Sequence, residues 1–143
     1  MGLSDQIKDP QVRSSIAADC AKLIDEQVAA KGGISGLALK ATYGVVKGLG
    51  ANYVVGAIER LLPDVLVALD PIWNEGVAAG NPVEHLATHP TETADRVLSV
   101  TDARIQKTNN GVVRGAYNKL RQSVKQDVEA AVPDLAKIIG QYV

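Results

Sequence analysis

The stretch Gly50 to Leu69, GANYVVGAIERLLPDVLVAL, decides how the chain folds. On a helix of 3.6 residues per turn it is apolar on almost every side, and its polar residues Asn52, Glu59, Arg60 and Asp64 keep to one narrow stripe. A helix offering so little surface to water belongs in the middle of a bundle, and Ile58, Leu61 and Leu62 are its expected buried residues. Pro63 lacks the helical N–H, which predicts a kink or a restart there with Asp64 in the new first turn. Asp70-Pro71 repeats that grammar and predicts a separate short segment carrying Trp73. Gly76, Gly80, Asn81 and Pro82 then mark a looser connection.

The flanking segments supply helices to wrap this centre. Asp9 and Pro10 open one that runs to about Lys31 before Gly32-Gly33, with Val12, Ile16, Cys20, Leu23, Ile24 and Val28 as a buried stripe. Cys20 is expected there as a small core residue. Ile34 to about Lys47 forms a second helix whose apolar face is Ile34, Leu37, Ala38, Ala41, Val45 and Val46, and Gly48 to Gly50 ends it. Beyond the centre, Asn81 caps a short helix over 82–88. Pro90 to about Thr108 forms a longer helix with Ala94, Val97, Leu98, Thr101 and Ile105 on one face. The turn Asn109-Asn110-Gly111 leads into a helix reaching Pro133-Asp134, followed by a last amphipathic turn or two through Leu135, Ile138, Ile139 and Tyr142. No segment alternates as a strand does. The expected fold is all-α: one helical domain over 1–143, built around the central apolar helix.

Composition narrows the function classes. The apolar share is 46% but the aromatic share is 3%, without Phe, so Ala, Val, Leu and Ile must fill the core at short helix separations. A net charge of −1 recruits neither nucleic acid nor an anionic membrane. Charge is uneven: five acids face Arg60 alone between 59 and 84, while seven bases face three acids between 91 and 125, so the two regions are expected to attract each other within or between molecules. A single cysteine favours a reducing compartment. Met1 to Pro10 has no signal-peptide pattern, Gln6 breaks the myristoylation pattern, and Glu59, Arg60 and Asp64 spoil the central segment as a membrane span. A soluble cytoplasmic protein with no cofactor and no membrane partner is the expectation.

Two halves of the chain echo one another. Lys40, Tyr43, Val46 and Lys47 match Arg114, Tyr117, Leu120 and Arg121 as basic, Tyr, aliphatic, basic. Further on, Ile58-Glu59 and Leu62-Pro63-Asp64-Val65 match Val128-Glu129 and Val132-Pro133-Asp134-Leu135. Upstream, Asp25 with Val28 matches Asp102 with Ile105. The offset slips by four residues, about one helical turn, along the way. A duplicated helical hairpin over about 25–70 and 102–140, with approximate two-fold symmetry, would account for these matches, and it requires 40–64 and 114–134 to share a helix arrangement.

Four stretches, GISGLALKATYGVVK, LLPDVLVALDPIW, TDARIQK and VRGAYNKLR, together resemble a family of small uncharacterised bacterial proteins carrying a domain of unknown function. The resemblance covers roughly 25–135. It implies a soluble helical bacterial protein and brings no activity with it.

Chemistry-bearing motifs are sparse. His85 and His89 have the four-residue spacing of a two-histidine metal site, but Leu86 stands where HExxH has Glu, and Pro90 biases His89 out of helical geometry. Solvated or helix-capping histidines are the favoured reading, with no metal. Gly48-Leu-Gly50 fails as a phosphate loop at Tyr53, and Gly33-Ile-Ser35-Gly36-Leu37 fails as a nucleophile elbow at its last position. The residues of interest are Lys40, Tyr43, Lys47 and Arg114, Tyr117, Arg121, since each set lies on one helix face where two cations flanking a phenol suit a carboxylate or phosphate. The competing assignment makes them structural, paired with Asp64 and Asp134. No catalytic set emerges, which leaves enzyme activity undecided with nothing in its favour. The leading expectation is a non-enzymatic protein working through protein contacts or self-association, as a homo-oligomer or with a protein partner. A small anionic ligand at the basic and Tyr residues is the alternative, and nucleic acid through 91–125 is a remote third.

Overall fold

The computed structural model describes residues 2–50 and 52–143, the side chains of 122 and 123 aside. The chain forms helices α1 Leu3–Gln6, α2 Pro10–Ala30, α3 Gly33–Lys47, α4 Tyr53–Ala78, α5 Pro82–Thr88, α6 Pro90–Lys107 and α7 Gly111–Gly140. Among the described residues there is no strand. It is an all-α, single-domain bundle, and α4 touches α1, α2, α3, α5 and α6. The expected caps Asp9 and Asn81 are in place, with Asp9 Oδ1 accepting from Gln11 N at 2.9 Å and Asn81 Oδ1 from Glu84 N at 3.2 Å, and in the Asn109–Gly111 turn Asn110 Oδ1 accepts from Val112 N at 3.0 Å.

None of the three interior prolines breaks its helix. α4 runs unbroken through Pro63, where a kink or a restart was expected, and through Pro71, where a separate segment was expected, and α7 runs on through Pro133. In α4 the buried residues Leu62, Leu66, Leu69, Trp73 and Gly76 recur at steps of four and three across both prolines, with Ile72 beside them. A proline costs a helix interior about 3 kcal/mol, whereas each fully buried Leu, Ile or Trp returns about 1.5–3 kcal/mol, so the continuous apolar face wins. Val132, Ala136 and Ile139 carry α7 past Pro133 in the same way.

The core is displaced toward the second half of α4. It gathers Leu3, Ile7, Ile16, Leu62, Leu66, Leu69, Ile72, Trp73, Leu86, Ala136 and Ile139. Ile58 and Leu61, expected to be buried, are only half-buried, and Val67 and Val77 of the same helix are exposed. The reason lies partly at the N-terminus. Leu3 and Ile7 are fully buried, and the Asp70 carboxylate accepts from Ser4 N at 2.9 Å and from Ser4 Oγ at 2.6 Å, which fastens α1 onto α4. Asp70 therefore caps another helix rather than beginning its own. The opposite end of the bundle, built from α3, the start of α4, the end of α6 and the first half of α7, has a thin core in which Leu98, Thr42 and Gly36 are buried.

Candidate functional site

At that thin end the echoed residues assemble into two clusters of the same chemistry. In one, Tyr43 Oη donates to Asp25 Oδ1 at 2.7 Å and Lys47 Nζ reaches the same oxygen at 3.2 Å, joining α3 to α2. In the other, Tyr117 Oη donates to Asp102 Oδ1, and Arg121 donates from Nε at 2.8 Å and from a terminal nitrogen at 3.0 Å, joining α7 to α6. Steps of three and four put the phenol and the cation on one helical face, and the aspartate of the preceding antiparallel helix lies opposite them. Thr101 Oγ1 adds a 2.7 Å hydrogen bond to Tyr117.

The acids are Asp25 and Asp102, not Asp64 and Asp134 as the structural assignment expected. Lys40 and Arg114 do not join the clusters: Lys40 is exposed, and Arg114 donates to the Thr108 carbonyl beyond the turn. The echo also stops short of a whole hairpin. Residues 40–64 span the end of α3, the break that begins at Gly48 and the start of α4, whereas 114–134 lie in the single helix α7. The four-residue slip between the halves falls on that break.

Each cluster shifts its own titrations. The phenol hydrogen bond and Lys47 hold Asp25 below its ordinary range, and the Arg121 hydrogen bond, with Tyr117 behind it, does so for Asp102. Burial and the partner carboxylate push the Tyr43 and Tyr117 phenols upward. A third pair, Tyr142 Oη on Asp19 Oδ2 at 2.6 Å, raises Tyr142, chiefly through that hydrogen bond. Stability contributed by the depressed carboxylates is complete above about pH 4 and is lost as the pH falls through their folded values. For the raised phenols it is complete below about pH 10 and is lost as the pH rises through theirs. Asp25 and Asp102 are 47% and 38% exposed, so water screens both and the acid-side loss should be small. The expected result in an absorbance titration at the phenolate band is that Tyr43, Tyr117 and Tyr142 ionise above free tyrosine, and that Asp102→Ala brings one of them down. Phenols that all ionise together at the ordinary value would refute the clusters.

The remaining candidates have structural surroundings. His85 Nε2 stands 3.3 Å from Glu75 Oε2, and His89 Nδ1 donates to the His85 carbonyl at 2.7 Å, with the two rings 4.1 Å apart. Among the described residues no three His, Cys, Asp or Glu side chains converge on a metal position. Burial, with Asp19 adding to it, raises the Cys20 thiol to about 11, which leaves it protonated and a poor nucleophile. The expected attraction between 59–84 and 91–125 does not appear in the ion pairs described: Lys125 pairs with Asp95 at 3.1 Å and Arg121 with Asp102, inside the basic region itself. Two open surface hollows, of about 430 and 360 Å³, lie beside His89 and between α2 and the end of α7, and neither reaches Tyr43 or Tyr117.

The feature that sequence reasoning assigned to the core is the outer face of α3. Ile34 is 88% exposed, Leu37 69% and Val45 57%, and Ala38, Ala41 and Gly44 beside them are exposed as well. The helix packs inward by its other side, through Gly36, Thr42, Tyr43 and Val46. Close packing at Gly36, where an added Cβ would stand 2.3 Å from the Lys31 carbonyl oxygen, and the Asp25 cluster together fix that orientation.

An all-α bundle with paired Asp–Tyr–cation clusters and one bare apolar helix face is the class of protein defined here. The chain belongs to a family of unknown function, DUF6918, whose model matches residues 3–143, well beyond the stretch carrying the resemblance seen in the sequence. No curated protein and no solved structure matches it. No helix among the described residues is long and apolar enough to cross a membrane.

Proposed function

We propose that this protein acts without catalysis, through a protein contact made by the outer face of α3. The observation that carries the reading is the exposure of Ile34, Leu37 and Val45 along one helix face. Scattered apolar residues are normal on a surface, but contiguous ones on a monomer mark an interaction site far more often. The Asp25–Tyr43–Lys47 cluster supports the reading by holding α3 in place from behind, so the face is presented on a fixed scaffold. The alternative, a small anion held by Lys40, Tyr43, Lys47, Arg114, Tyr117 and Arg121, meets an internal competitor in each cluster, since Asp25 and Asp102 already take the phenol and one cation.

The test is photocrosslinking in the host cell with p-benzoylphenylalanine at position 37, with position 106, on the exposed side of α6, as control. The expected result is a discrete protein adduct from position 37 and none from 106. No adduct from 37, or equal adducts from both, sinks the reading.

A further inference from the structure

We propose that the partner of α3 is the α3 of a second copy of this chain, packed antiparallel about a two-fold axis at Ala41; this rests on the protein-contact reading above. The sequence of the bare face is its own mirror in spacing. Ile34, Leu37, Ala41, Val45 and Gly48 follow one another at steps of three, four, four and three, and Ala38 and Gly44 stand equally far from Ala41. An isologous contact requires residue i to meet j wherever j meets i. Centred on Ala41, antiparallel pairing sets Ile34 over Gly48, Leu37 over Val45, Ala38 over Gly44 and Ala41 on its own copy. Ile34 thus meets the small Gly48, Leu37 and Val45 pack on each other, and Ala38 and Gly44 leave room near the axis. At the axis Ala41 and the open Gly44, whose missing Cβ has no neighbour within 4 Å, let the backbones approach closely.

Area and charge agree with this occupant. The exposed apolar side chains of α3 offer on the order of 500 Å² per chain, the size of a functional patch on a monomer. Two copies together bury on the order of 1,000 Å², the lower bound for a specific interface, so the dimer is reversible and concentration-dependent. No charge lies within the stripe: Lys40 and Lys47 fall outside it, and Lys47 is held by Asp25. Antiparallel pairing also sets the helix dipoles in opposition, the favourable arrangement. The face carries no aromatic residue, unlike helices that lie in a lipid interface.

Sedimentation of the purified chain over a range of concentrations should show a monomer–dimer equilibrium, and Leu37→Glu should raise its Kd by roughly tenfold or more. Leu37 is exposed in the monomer, so this variant folds. Under mild oxidation Ala41→Cys should form a disulfide-linked dimer. Ile34→Cys should not, because antiparallel pairing sets the two copies of position 34 about 21 Å apart, far beyond disulfide reach; the parent chain, with its part-buried Cys20, is the control. Crosslinking through Ile34→Cys overturns the antiparallel arrangement. A chain that stays monomeric at every concentration overturns the dimer, whether or not it cosediments with anionic phospholipid vesicles. The photoadduct from position 37 separates the two levels: twice the chain mass supports the dimer, another protein's mass overturns it while keeping the contact reading, and no adduct overturns both.

Discussion

Leu69→Ala is expected to lower stability by about 2–5 kcal/mol, a large share of what an ordinary domain possesses. Leu69 has no exposed surface and sits in the core cluster between Leu66 and Ile72 on α4. The surrounding side chains come from separate helices, α1, α2, α5 and α7 among them, and cannot all relax into the space left behind. Leu61→Ala is the comparison. Leu61 is half-buried at the margin of that cluster, so its truncation removes less area and leaves less cavity, and it should cost clearly less than Leu69→Ala. The measurement is chemical denaturation followed by the fluorescence of Trp73, the chain's one tryptophan, which is buried in the same cluster. Equal losses from the two variants would mean that the core is not concentrated around the second half of α4.

How much of this was legible in the sequence depends on the kind of information each feature needs. Caps are local, so Asp9 and Asn81 announced two helix starts correctly, while Asn110, read only as part of a turn, caps a third. The Asp–Tyr–cation clusters were half legible: Tyr43 with Lys47 and Tyr117 with Arg121 stood out by spacing, and Asp25 and Asp102 appeared among the same matches. What spacing does not give is which acid a phenol reaches across a hairpin, because that is set by how two helices dock.

The prolines misled for a related reason. Pro63, Pro71 and Pro133 each predict a local break, but the competing term, an apolar face running unbroken through Leu62, Leu66, Leu69 and Trp73, is collected only when other helices cover it. The fastening of Ser4 by Asp70 links residues 66 positions apart, and no local pattern announces it. For α3, periodicity correctly placed Ile34, Leu37, Ala38, Ala41 and Val45 on one face and wrongly added Val46, which packs inward. An apolar stripe records that its surface wants a partner, and whether another helix of the same chain covers it is set by how the helices dock. The side that packs inward was marked by Gly36 and Tyr43, a close approach and a polar peg, rather than by hydrophobicity.

Glycine replacements on two helices should move stability in opposite directions. Gly76 lies in α4 where it passes the start of α5, and a Cβ added there would stand 2.6 Å from Pro82 Cα and 2.7 Å from His85 Cβ. Both distances are well inside van der Waals contact, and Pro82 Cα belongs to the backbone, so α5 itself must shift. Overpacking of this kind costs about 1–3 kcal/mol, more than the roughly 0.5–1 kcal/mol that alanine gains over glycine in a helix interior. Gly76→Ala is therefore expected to be destabilising on balance. Gly115 is exposed in α7, and an added Cβ there meets nothing within 4 Å. With no clash to oppose it, Gly115→Ala should gain the full helical preference and stabilise the protein by about 0.5–1 kcal/mol. Denaturation midpoints of the two variants, measured beside the parent, give both signs in one experiment. A stabilising Gly76→Ala would show that α4 and α5 do not approach each other as closely as described, and a destabilising Gly115→Ala would place a neighbour against the first half of α7.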